Sequence, residues 1–215
     1  MDKITSEIQA FFSHKQSGAV RGIGGQPLGF TLIELLVVIA ILGILMTLVI
    51  PAITSLSRGS NLNLAGQMIA DQLALARQEA VTRNRDIEVR FYQLTSGLSP
   101  GWRAIQLLRI EQTPSGPVTV ASSRISVIPE GIVMADNALS PLISASLRSG
   151  TTTLPAYGET AYRAVRFRAN GSLETSVGDN NYITLFNATD SGNPPANYYT
   201  IQINSLTGKV SIFRP

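Results

Sequence analysis

The 215-residue chain contains no cysteine. Disulfides, thiolate metal sites and cysteine nucleophiles are therefore excluded. Its single histidine is His14, in an N-terminal stretch set apart below. Glycine motifs that cradle phosphates are missing. Asp179-Asn180-Asn181 and Asp190-Ser191-Gly192-Asn193 are rich in oxygen. They lack the spacing of a helix-loop-helix calcium site, and turns use such residues for their own backbone bonds. No catalytic residue, metal ligand or cofactor is expected, and the chain does not read as an enzyme. The formal charge is only +3, too small an excess for a protein that coats nucleic acid.

The most informative absence is one of charge. Leu35 to Ser57, 23 residues, carry none. The stretch Leu35 to Pro51 reads LLVVIAILGILMTLVIP. A bilayer core about 30 Å thick needs about 20 apolar helical residues, and residues 30–53 meet that length if Glu34 is accommodated near one interface. Thr31 and Glu34 have the spacing of a capping box, in which each side chain satisfies one orphan backbone donor of a helix start. A carboxylate there also faces the positive end of the helix dipole. Capping alone leaves the preceding Gly29-Phe30 junction unexplained, which points to a further role for Glu34 as the membrane-embedded partner of a positive charge. A cleaved secretory signal would have a shorter apolar core and a small-residue cleavage site; here the chain continues as Pro51-Ala52-Ile53-Thr54.

Basic residues stay on the cytoplasmic side of a span. Lys3, Lys15 and Arg21 precede the run, and Arg58 is the only basic residue after it until Arg77. The N-terminus is expected in the cytoplasm and everything after the span outside. Residues 1–29 hold Gly22, Gly24, Gly25, Pro27 and Gly29 and read as a flexible, protease-accessible leader.

Beyond the run, Leu62, Ala65, Ile69, Leu73, Ala76 and Ala80 recur at intervals of 3, 4, 4, 3 and 4. That is one face of an amphipathic helix, with Gln67, Asp71, Gln78 and Arg83 off the stripe. Helical throughout, residues 30–84 would measure about 80 Å. Gly43 and Pro51 soften this run, since proline removes one helical bond and kinks the backbone. After Asn84 the period drops to two: Ile87, Val89 and Phe91 alternate with Glu88, Arg90 and Tyr92. Short strands are predicted at 102–110, 118–121, 124–128, 132–134, 163–168, 183–186, 198–204 and 209–213. Asn170-Gly171 and Thr207-Gly208 mark hairpins. Residues 135–162, rich in Ser, Thr, Gly and Pro, read as a long loop. The expected organisation is a leader (1–29), a transmembrane helix (30–57), an amphipathic helix (58–84) and a β-rich globular domain (85–215). The fold class is α+β, one long N-terminal helix packed on an antiparallel sheet.

The sequence GFTLIE at Gly29 to Glu34, followed by the uncharged run, resembles the N-terminus of type IV prepilins and type II secretion pseudopilins. The resemblance implies cleavage between Gly29 and Phe30 by a prepilin peptidase that also methylates the new Phe30 amine. It assigns Glu34 to assembly and matches Pro51 and Gly43 to the helix-softening positions. The leader is longer than most prepilin leaders; recognition reads the local junction, so cleavage is still expected. Further along, LARQEAVTRNRDIEVRF (Leu75 to Phe91), VRFRANGSL (Val165 to Leu173) and YYTIQINSLTGKVSIFRP (Tyr198 to Pro215) resemble the H-type minor pseudopilins and their FimT relatives. Residues 59–94 also resemble the prepilin-like family called Verru_Chthon cassette protein D.

The resemblance implies a pilin-like fold. It further implies a structural subunit of a type II secretion or type IV pilus-like fibre, with other pilin or pseudopilin subunits as partners. Its place would be the bacterial inner membrane, in a single pass, with the C-terminal domain periplasmic or extracellular. Two alternatives stay open. FimT-like minor pilins include DNA binders, and Arg83, Arg85, Arg163, Arg166 and Arg168 would make a nucleic-acid patch if the fold gathers them. A membrane-anchored surface protein that never polymerises would share the same anchor.

Overall fold

The computed structural model describes residues 29–97, 99–174 and 178–214, without the side chains of 48–58. Residues 1–28 of the predicted leader and the side chains of the last part of the predicted span fall outside that description. The chain divides into two compact units, Met1–Thr47 and Leu48–Pro215.

Helix α1 covers Leu32–Arg83. Its first turn carries an acid, Glu34, and its last a base, Arg83, each at the end of the dipole that stabilises it. Asn84 closes it with a positive φ of 50°. The amide of Arg85 reaches the carbonyl of Ala80 at 3.1 Å, and that of Asn84 the carbonyl of Val81 at 3.3 Å. This is a Schellman stop, with asparagine in the left-handed position.

Among its described residues the second unit holds eleven strands: β1 (Ile87–Leu94), β2 (Gly101–Thr113), β3 (Gly116–Ala121), β4 (Ser126–Val127), β5 (Ile132–Met134), β6 (Arg148–Leu154), β7 (Gly158–Phe167), β8 (Leu173–Glu174), β9 (Tyr182–Asn187), β10 (Tyr198–Ile203) and β11 (Val210–Phe213). A short helix, α2 (Pro141–Ser144), precedes β6 and has proline in its first turn. The sheet order is β11-β10-β9-β5-β2-β1-β7-β6, with β3 and β4 on β2 and β8 on β7. All pairings are antiparallel, and both predicted hairpins form, β7–β8 around Asn170-Gly171 and β10–β11 around Thr207-Gly208.

The α1 stripe predicted from periodicity, Leu62 to Ala80, is fully buried. It packs on Ile87, Val89, Phe91, Ile105, Leu107, Val165, Phe167, Ile183 and Ile201 from one sheet face. Burying one such aliphatic side chain contributes about 1.5–3 kcal/mol, which makes this face the main source of cohesion. The helix approaches the sheet closely at Gly66, where an added methyl would lie 2.3 Å from the Tyr199 ring. The opposite face is covered as well: Tyr92, Leu94, Ala104 and Leu154 form a smaller cluster with Ile125, Tyr157 and Tyr162. Burial holds the Tyr92 phenol above its usual pKa range, so it remains a neutral donor to Gln106 Oε1 at 2.8 Å.

The structure corrects the reading of residues 135–162. This segment contains α2, all of β6 and the start of β7. Strand β6 escaped notice because it has no apolar alternation: Ser149, Gly150, Thr151 and Thr153 are exposed. Its consecutive threonines supply β-propensity, and seven register pairs with β7 hold it.

Arg103 is the largest fully buried side chain among the described residues. The β1–β2 register shifts between Tyr92 and Gln93, and Arg103 is the extra residue of this bulge. Its Nε donates to the Ile132 carbonyl at 3.3 Å and its Nη2 to the Ile128 carbonyl at 3.2 Å. Nη1 lies 3.0 Å from Glu130 Oε2. Hydrogen bonds made by a charged group contribute about 1.5–3 kcal/mol each. Arg103→Ala should therefore cost about 3 kcal/mol or more, measured by urea unfolding of the full chain in detergent. A loss under about 1 kcal/mol would show that the bulge holds the loop without its arginine.

Candidate processing and assembly site

Gly29 and Phe30 precede α1, and Phe30 is 84 % exposed. The junction that the sequence marks for cleavage is thus uncovered by the rest of the described chain. Thr31 caps the helix. Its carbonyl takes the first helical bond from the Leu35 amide at 3.1 Å, and its hydroxyl accepts from the Glu34 amide at 3.2 Å. Glu34 Oε2 returns the contact, accepting from the Thr31 amide at 2.8 Å and the Thr31 hydroxyl at 2.9 Å. The predicted capping box is complete. It fixes the carboxylate one turn from Phe30, against the positive end of the helix.

Every described side chain of α1 from Leu32 to Thr47 is exposed, including Leu32, Ile33, Leu36, Ile44 and Met46. Such a continuous apolar surface marks an interaction site. Among the described residues no helix is long and apolar enough to cross a membrane. The described side chains of the apolar run stop at Thr47, and its remaining residues lie in 48–58. Gly43 and Pro51 both fall within α1. The space beside Gly43 is open, with no atom within 4 Å of an added Cβ.

The structure gathers only two arginines of the candidate nucleic-acid patch, Arg166 and Arg168, which share Glu174. Arg163 shares the β7 face of Val165 and Phe167. Its guanidinium stacks on Trp102, 4.9 Å from the ring centroid, and donates to the Ile143 carbonyl at 3.2 Å. Arg166 lies on the opposite face with Glu88 at 3.4 Å. Arg168 faces Glu174 at 3.9 Å and Arg83 faces Glu79 at 3.7 Å. Arg85 is exposed beyond the end of α1. Strand parity separates Arg163 from Arg166, and acids stand beside Arg83, Arg166 and Arg168.

Two arginines with structural roles escaped the sequence reading. Arg103 is the β2 residue that the β1 ladder skips, a place that no periodicity in the sequence marks. Arg77 sits beside the buried stripe and donates through Nε to the Thr207 carbonyl at 2.6 Å, fastening the β10–β11 turn to α1.

Residues 65–207, well over half of the chain, match the family described as Type II transport protein GspH. The chain belongs to the GspH family. Residues 28–50 match the Prokaryotic N-terminal methylation motif, which covers the Gly29-Phe30 junction and Glu34. Solved structures similar to this GspH-family chain include two of the minor pseudopilin EpsH from the type 2 secretion system of Vibrio cholerae. One is 15% identical over 72% of this chain and 98% of that one, with a TM-score of 0.40. The other is 13% identical over 73% and 96%, with a TM-score of 0.41. No curated protein matches the chain.

Proposed function

We propose that this GspH-family protein is a structural subunit of a type II secretion pseudopilus, cut and methylated at its N-terminus and built into the fibre through α1. The observation that carries this reading is the coincidence of a GspH domain with the methylation motif in one chain. The family is one of pseudopilins, structural rather than enzymatic, and assembles with other pilin or pseudopilin subunits after a prepilin peptidase has acted. The anchor is residues 30–57, inserted with the N-terminus in the cytoplasm and the sheet domain outside. Phe30 becomes the first residue. Glu34, already fixed at the helix start, meets the positive Phe30 amine of a neighbouring subunit. Opposite charges attract strongly where the local dielectric is low. Gly43 and Pro51 give α1 the freedom to bend as it packs.

Intact-mass and N-terminal analysis of the protein from its native membrane tests this. The expected product begins at methylated Phe30. A chain still carrying residues 1–29 would replace the fibre subunit with a plain membrane-anchored domain. A product cut beyond Pro51 would make the apolar run a discarded signal.

A further inference from the structure

The sheet face opposite α1 carries more guanidinium than carboxylate at its β6–β8 edge. Arg90 and Arg166 share Glu88 at 2.7 and 3.4 Å. Arg148, Arg166 and Arg168 share Glu174 at 3.1, 4.0 and 3.9 Å. Four guanidinium groups thus stand around two carboxylates, and with Asp86, which accepts from the Ala169 amide at 3.1 Å, as a third acid nearby, one positive charge is left over. Arg148 Nη1 and Arg166 Nε are shielded from solvent and have no hydrogen-bond acceptor; the 4.0 Å contact of Arg166 Nε with Glu174 is too long for one. Arginines crowded on one carboxylate repel each other, and an added anion relieves that repulsion.

The neighbouring backbone is also open. Strand β6 ends the sheet, and β8 continues its line beside β7, since Arg148 pairs with Ala164 and Glu174 with Arg166. Natural sheets blunt such edges with lysine, proline or internal charge. From Ser149 to Leu154, β6 has none of these and is mostly exposed.

We propose that this edge receives an extended acidic segment of a partner protein. The segment adds as a strand beside β6 and sets carboxylates against Arg148, Arg166 and Arg168. Alternate side chains of a strand fall on one face about 6.6–6.8 Å apart, a spacing that lets carboxylates meet guanidinium groups and pass Glu174 by. Strand addition supplies main-chain hydrogen bonds, and paired charges supply the selectivity. A nucleic acid fits less well. Its phosphates would lie against Glu174 as well as the arginines. Among the described residues of this face its bases would also find no exposed aromatic platform, because Tyr92 is buried, Tyr157 is half-buried in the small cluster, and Tyr162 lies under Arg90, 4.2 Å from the ring centroid.

This inference deepens the pseudopilus reading by naming the chemistry of a partner, and its test needs neither processing nor a fibre. The full chain in detergent micelles is titrated with a synthetic peptide of alternating glutamate and threonine. The same peptide with glutamine and a single-stranded oligonucleotide serve as comparisons. The glutamate peptide is expected to bind about tenfold tighter than the glutamine peptide or more. Arg168→Gln, at a half-exposed position, should remove most of that difference, while Arg124→Gln elsewhere on the surface leaves it. Arg148→Lys keeps the charge but loses the planar fork and should weaken binding in part. Equal affinity for both peptides, tighter binding of the oligonucleotide, or unchanged affinity in both the Arg168 and Arg148 variants would overturn the proposal.

Discussion

Glu34→Leu is expected to leave the chain inserted in its membrane and to stop its incorporation into a fibre. Leucine extends the apolar run, so insertion becomes easier. Two things are lost together: the capping box with Thr31 and the negative charge that meets a neighbour's amine. Glu34→Gln separates them, because glutamine also completes a capping box but carries no charge. If charge pairing drives assembly, both variants should lower the fibre-incorporated fraction by about tenfold or more, since a buried charge that loses its partner is strongly disfavoured. If capping alone matters, the glutamine variant should assemble like the parent. Membrane fractionation reads insertion, and cross-linking to neighbouring subunits reads incorporation. Wild-type incorporation of Glu34→Leu would remove the assembly role of this charge, whereas a parent chain that cross-links to no neighbouring subunit would restore the non-polymerising surface protein as the better reading.

Much of this arrangement was legible in the sequence because the governing signals are local. Thr31 and Glu34 lie within one helical turn, so their capping box follows from spacing alone. The stripe from Leu62 to Ala80 announces a buried helix face by its period, and all six of its residues are buried. Asn170-Gly171 and Thr207-Gly208 mark their hairpins because those turns need left-handed residues. What escaped depends on partners distant in the chain. Strand β6 has polar residues on both faces and exists because β7 lies beside it. Arg103 has no partner in β1 because the ladder slips by one residue between Tyr92 and Gln93. The arginine groups illustrate the same limit. Sequence places Arg163, Arg166 and Arg168 close together, yet parity sends Arg163 to the core face, while Arg148, far away in sequence, joins Arg166 and Arg168 at Glu174.

Gly208→Ala is expected to be among the most destabilising single-methyl changes in the domain. Gly208 has φ of +64°, a conformation that costs a residue with a Cβ about 1–2 kcal/mol. The new methyl would also sit 2.1 Å from the carbonyl oxygen of Gly171 and 3.0 Å from Arg77 Cδ. The nearer of these is backbone, so a rotamer change cannot relieve it. Two hairpin turns meet α1 at this point: Leu173 donates its amide to the Ser205 carbonyl at 2.8 Å, and Arg77 holds the Thr207 carbonyl at 2.6 Å. Separating the turns to admit the methyl strains both contacts, and overpacking of this kind costs about 1–3 kcal/mol. The sum is about 3 kcal/mol, a fall in Tm of about 6–12 °C for a domain of this size. Gly158→Ala provides the control. Gly158 has φ of +71° with no atom within 4 Å of an added Cβ, so only the conformational cost applies and the fall should be about half as large. Thermal melts of the two variants in the same detergent separate strain from clash. Equal shifts would mean that the two turns part freely, and that Arg77 does not hold them against α1.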